Sequence, residues 1–124
     1  MNVIRHDQTR RAETPAGVMT TLASPTLGGA TRPVWRVEMP AGSAGPVHTI
    51  DTEQIWTVLS GGAAVRLGAA DPVGIATGDT LILAPDVERQ LTADATKGLT
   101  AIVTSAANST ATAGVNRVRP PWTV

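Results

Sequence analysis

Two histidines occur in the chain, and one of them, His48, lies in the stretch with the clearest strand pattern, Gly42 to Gly61, GSAGPVHTIDTEQIWTVLSG. From Glu53 to Leu59 side chains alternate between two faces of an extended chain, so Gln54, Trp56 and Val58 share one face and Glu53, Ile55, Thr57 and Leu59 the other. The short run before it puts Pro46, His48 and Ile50 on a common face. If the two runs belong to one sheet, His48, Gln54 and Trp56 look into the same interior. An imidazole titrates near neutrality and can take or give a proton. The carboxamide of Gln54 can orient a polar ligand, and the indole of Trp56 offers a flat wall for a ring. Each has a plainer alternative: a hydrogen-bonded histidine lining a barrel, and a tryptophan that simply fills a narrow interior.

The elements that would position these groups are short strands. Gly17 to Ala23 reads as a first strand, and Thr31 to Met39 alternates so that Trp35, Val37 and Met39 face one way. Gly61-Gly62 separates two alternating runs and predicts a hairpin, with Ala63 to Gly68 returning. Ala69 to Thr77 reads as loop, and Thr80 to Ala84 as a strand apolar enough to be buried on both faces. Pro85-Asp86 turns the chain, Glu88 to Thr92 comes back, and Leu99 to Thr104 alternates again. Residues 1–16 read as a loose arm or an edge strand, and 106–124 as a small-residue linker and tail anchored by Trp122. About eight short strands with turns every eight to twelve residues predict an all-β, closed or sandwiched antiparallel barrel in a single domain over 1–124, its core about 31–105.

Composition narrows the chemistry. With no cysteine, disulfides, thiolate metal sites and thiol nucleophiles are excluded. Tyrosine and phenylalanine are absent, so no phenol can act as acid or base. Lys97 is the single lysine, and it is poorly placed for imine chemistry. The formal net charge is +0, which predicts no affinity for nucleic acid or for a membrane surface. No stretch reaches membrane-spanning length and no secretory start is evident, so a soluble, cytoplasmic protein is expected.

The spacing from Gly42 through His48, Ile50 and Gln54 to Gly61 resembles the first cupin motif, and Gly78-Asp79 with Ala84-Pro85-Asp86-Val87-Glu88-Arg89 resembles the second. The resemblance is to the small single-domain bacterial cupins, covers roughly Trp35 to Val103, and implies a cupin-type, jelly-roll-like double-stranded antiparallel β-barrel. It also implies a divalent metal held by two histidines and a Glu or Gln of the first motif plus a histidine of the second. Carried across, His48 and Gln54 fill two of those positions, while Ile50 and Arg89 fall where histidines would stand. Isoleucine has no lone pair and a guanidinium repels cations, so no resident metal is expected.

The implied pocket then has a different chemistry. Arg89 suits a carboxylate, a phenolate or a developing enolate. His48 beside that charge is held neutral and suited to the role of base. Gln54, Trp56 and Ile50 would contact the bound molecule. A metal-independent isomerase or cyclase on a small anionic or aromatic metabolite is one expectation, and a non-catalytic ligand-binding or regulatory barrel is another. A metal-dependent oxygenase or cyclase using His48, Gln54 and an acid such as Glu53 is the third. Arg89 has its own plain alternative, an ion pair with Glu38 or Asp51. By the same resemblance, terminal segments exchange between subunits and a homodimer is expected.

Overall fold

Period-two alternation interrupted by glycine and proline leaves no stretch long enough to nucleate a stable helix. The computed structural model describes residues Met1–Val124 and contains eleven strands and two single-turn 3-10 helices. The strands are β1 (Arg10–Thr14), β2 (Gly17–Ala23), β3 (Val34–Met39), β4 (Thr49–Ile50), β5 (Gln54–Leu67), β6 (Val73–Ala76), β7 (Thr80–Leu83), β8 (Arg89–Ala93), β9 (Leu99–Ser105), β10 (Ala111–Ala113) and β11 (Asn116–Val118). All strand pairings are antiparallel, as the alternating pattern predicts.

The long strand β5 organises the molecule. Its first half pairs with β9 on one side and β7 on the other, and its second half with β8 and β6. Beyond β9 the order continues β3, β2, β1. A second sheet runs β11-β10-β4 and meets β8 through the bridges His48↔Arg89 and Ala44↔Thr92.

This arrangement corrects the expected hairpin at Gly61-Gly62: the chain does not turn there but runs on through β5, with a register irregularity between Val58 and Ser60. Gly61 is needed for a different reason. Its φ is +70°, and a Cβ would lie 1.9 Å from the Gly98 carbonyl oxygen, so only glycine lets β5 pass the Asp94–Gly98 turn. The expected loop 69–77 contains β6, and the expected linker and tail contain β10 and β11. The strand at Thr80–Leu83 is not buried on both faces, because it pairs only with β5: Leu83 is 1% exposed but Ile82 is 64% exposed. The arm pairs as β1 with its own β2, and the tail's β10 with its own β4.

Inward-facing residues form rows across the first sheet. Val37, Ala101 and Val58 make one row, and Trp35, Val103, Trp56 and Leu81 the next. The third row, Ser105, Gln54 and Leu83, is where polar atoms enter the interior. Trp122, in the C-terminal 3-10 turn, packs against the main apolar cluster as the expected anchor. No helix is long and apolar enough to cross a membrane.

Candidate functional site

The polar row meets β8 and the segment before β4. His48 and Arg89 are directly opposite and exchange both backbone hydrogen bonds, His48 N–H to Arg89 O at 3.1 Å and Arg89 N–H to His48 O at 2.9 Å. Residues paired in this way project their side chains from the same face of the sheet. Ile50, two residues beyond His48, shares that face and is 2% exposed. It is held from the other side by β10, through the pairing Ala111↔Ile50. Gln54, at the start of β5, is 6% exposed.

Arg89 is the centre of this cluster. Its side chain is 1% exposed, and it donates from Nη1 to Gln54 Oε1 at 3.2 Å, from Nη2 to Ala84 O at 3.3 Å and from Nε to Val87 O at 3.0 Å. Every one of these acceptors is neutral. The chain's side-chain ion pairs are Arg11–Glu13 at 2.7 Å and Arg36–Glu38 at 2.9 Å, both near the surface, so the carboxylates expected to pair with Arg89 are engaged elsewhere. Asp51 instead accepts the Thr110 N–H at 2.7 Å. Burial pulls the Arg89 pKa down from its ordinary value, but a guanidinium stays charged at any pH the fold survives.

The carbonyls of Ala84 and Val87 were not legible as site atoms. They come together because Asp86 adopts a left-handed conformation, φ 62°, in the turn from β7 to β8, wrapping that turn around the guanidinium. The Pro85-Asp86 dipeptide signalled the turn, but not what it encloses.

Nδ1 of His48 lies 2.8 Å from Pro46 O. A carbonyl only accepts, so Nδ1 carries the proton and Nε2 keeps its lone pair. Burial lowers the His48 pKa, the Pro46 bond raises it, and the charge of Arg89 lowers it again, for a net downward shift. At neutral pH the imidazole is a base.

Trp56 donates its indole N–H to Gln54 Oε1 at 3.1 Å, and its ring packs against both apolar clusters. The carboxamide of Gln54 therefore takes two donors on one oxygen, which sets the direction in which it points. His48, Ile50, Gln54 and Arg89 thus converge, with Trp56 tied to them through Gln54.

A roomier concavity lies away from this cluster. It measures about 510 Å³ and is lined by Ala63, Ile75, Ala93, Asp79 and Asp94 among others, none of them nominated from sequence. Beside Arg89 there is a hollow of about 40 Å³, bordered by Val47, Arg66, Gly68, Glu88 and Gln90. That is room for only a water or two.

Solved structures with this arrangement of strands identify the architecture. An RmlC-like cupin from Shewanella frigidimarina superposes with a TM-score of 0.70, at 17% identity over 87% of this chain and 93% of that one. This is a cupin barrel. The polyketide cyclase RemF from Streptomyces resistomycificus gives a TM-score of 0.74 at 12% identity, covering 96% of this chain and 82% of that one. A cupin-2 domain protein from Rhodospirillum rubrum gives 0.73 at 16% identity, covering 96% and 80%. No family model and no curated protein matches the sequence. At such identities the likeness establishes the fold alone.

The divalent ion that a cupin barrel implies does not fit the residues present. No three His, Cys, Asp or Glu side chains come together anywhere in the chain. Gln54 Oε1 already receives N–H groups from Trp56 and Arg89, Ile50 offers no donor atom, and Glu53 is exposed just before β5 begins. A fixed cation occupies the cluster.

Proposed function

We propose that the protein binds a small organic anion (a carboxylate, phenolate or enolate) at the polar end of the barrel. Arg89 supplies the positive charge, and Gln54, Trp56 and Ile50 contact the remainder of the molecule. The observation that carries this is a guanidinium 1% exposed with no acidic partner. An unpaired buried charge costs several kcal/mol, on the order estimated for single ions in proteins. Charge-assisted bonds to an anion are about twice as strong as those to the neutral acceptors now in place. Three hydrogen bonds engage three of the five guanidinium N–H groups, leaving two for a ligand. The hollow beside Arg89 is small and is bordered by Val47, Arg66 and Gln90 rather than by His48, so an anion larger than a water or two reaches the guanidinium only by displacing side chains there.

His48 favours a second, catalytic reading of the same site. With Nδ1–H anchored on Pro46, Nε2 takes a proton from a carbon acid. The electron pair left behind becomes an enolate oxygen beside Arg89, and His48 returns the proton at another carbon. That is the chemistry of a metal-independent isomerase or cyclase, and one structural neighbour is a polyketide cyclase. The protein would work in the cytoplasm as a homodimer, and a monomer by light scattering at micromolar concentration overturns the dimer.

The test is an NMR titration with acetate and benzoate, following Arg89 Nε–H and the Trp56 indole N–H. Saturable shifts in the wild type that vanish in Arg89→Met are expected, and no shift at either group overturns anion binding. Solvent deuterium exchange at the acidic carbon of a 1,3-dicarbonyl probe separates the two readings. A binder gives no acceleration, whereas the catalytic site gives one that His48→Ala abolishes.

A further inference from the structure

We infer that Arg89 is a built-in cation of this barrel: its guanidinium takes the oxygen and the space that a metal ion would need among His48, Ile50 and Gln54, and so makes the site refractory to metals. This stands whether or not an organic anion binds there. The donor oxygen of Gln54 carries two N–H groups, Trp56 Nε1 at 3.1 Å and Arg89 Nη1 at 3.2 Å, which together use the two in-plane lone pairs of an amide oxygen. A metal ion at that oxygen would have to displace the guanidinium and then sit beside a second positive charge.

Arg89 cannot easily leave. Its backbone is tied to His48 in both directions, and its head group is held by the turn that contributes Ala84 O and Val87 O. The imidazole of His48 keeps its Nε2 lone pair free on the same face. The polar end of the barrel is therefore held together without an ion. Two substitutions separate it from a nitrogen-rich site: one at Ile50, which adds a ligand, and one at Arg89, which removes the block and adds another.

The inference makes the two changes strongly non-additive. Protein freed of metal by chelator is titrated with Zn²⁺ and with Co²⁺, whose visible absorption reports inner-sphere nitrogen ligands. The wild type and Ile50→His are expected to bind no equimolar ion, because the guanidinium remains. Ile50→His combined with Arg89→His is expected to bind one ion per chain, roughly 100-fold more tightly than either single variant, with a rise in Tm on loading. Three results each overturn the inference: equimolar binding by the wild type with perturbed His48 resonances, equal affinity of Ile50→His and the double variant, or a folded double variant that binds nothing. If the double variant does not fold, Ile50→His with Arg89→Met removes the charge at a similar side-chain length and is judged by the same three results. Anion titrations are unaffected by these outcomes, so failure here and failure of the proposed function are distinguishable.

Discussion

Strand β5 builds two interiors at once, four residues apart. Around Val58 the barrel is closed by Trp35, Val37, Ala101 and Val103, all between 0% and 2% exposed. Around Gln54 it is closed by Ile50, Leu83 and Arg89, between 1% and 2% exposed, with Gln54 itself at 6%. Accessibility does not separate these two regions; what the buried atoms touch does. In the first, every contact is dispersion between carbon atoms, and each lost methylene leaves a void. In the second, a full positive charge rests on one amide and two main-chain carbonyls. The first region has the composition of a core, whereas the second carries a desolvation cost that packing alone would not require. The two regions should therefore respond oppositely to truncation.

The largest effect belongs to the apolar end. Trp35 sits in the row with Val103 and Trp56, so Trp35→Ala opens a cavity that a sheet cannot collapse to fill. It should cost about 3–5 kcal/mol in denaturant unfolding. A loss below about 2 kcal/mol would mean that the region repacks freely, and the contrast with the polar end would weaken.

Next in size is the point just beyond both interiors where β5 passes the Asp94–Gly98 turn. Gly61→Ala sets a methyl group against the Gly98 carbonyl at a positive φ, and both strain and clash oppose it. A loss of about 2–3 kcal/mol is expected, with the far-UV spectrum of an intact sheet at low temperature. A neutral result would mean that β5 does not run against the Asp94–Gly98 turn as the register implies, and that the strand carrying both interiors is less firmly fixed.

The same glycine shows what the sequence could and could not reveal. Strand content was legible because alternation is local: Trp35, Val37 and Met39 face inward as their spacing requires, and Gly17–Ala23 is a strand end to end. Gly61-Gly62 was misread because a pair of glycines between two alternating runs signals a turn, and the need for glycine arises from Gly98, 37 residues later in sequence. The exposure of Ile82 had the same origin, since nothing in Thr80–Leu83 says that β7 has only one neighbour. At the site, alternation nominated His48 and Gln54 and the cupin resemblance nominated Arg89, and the structure brings the three together. Their acceptors were hidden because Pro46, Ala84 and Val87 contribute main-chain oxygens, which residue type does not announce.

Arg89→Met tests the polar end. It removes a buried charge and gives up bonds to Ala84 O and Val87 O, whose residues lie near the surface where water can replace the donor. Gln54 Oε1 keeps its bond from Trp56. The expected change in unfolding free energy is between zero and a gain of about 2 kcal/mol. Alongside the Trp35 result, this would mark Arg89 as a residue retained against stability. A loss above about 2 kcal/mol would instead make the guanidinium a structural strut and align the two ends.

The smallest effect is also the most selective, because it isolates one proton. Burial leads the causes that lower the folded-state pKa of His48 below its ordinary 6.5, so the unfolded chain binds that proton more tightly than the barrel does. The sign follows from linkage: the contribution of the neutral imidazole is complete above about 6.5 and declines as pH falls through that value. It levels off once pH drops below the folded pKa, where both states are protonated. Unfolding measured between about pH 7 and 5 should show this decline in the wild type and not in His48→Asn. Arg89→Met should shrink it only in part, since the guanidinium's charge adds to a shift that burial leads and the Pro46 bond opposes. If His48→Asn keeps the full slope, the imidazole is not desolvated beside Arg89. The polar end would then be a solvated rim rather than an interior, and the distinction between the regions around Gln54 and Val58 would fail at its most sensitive point.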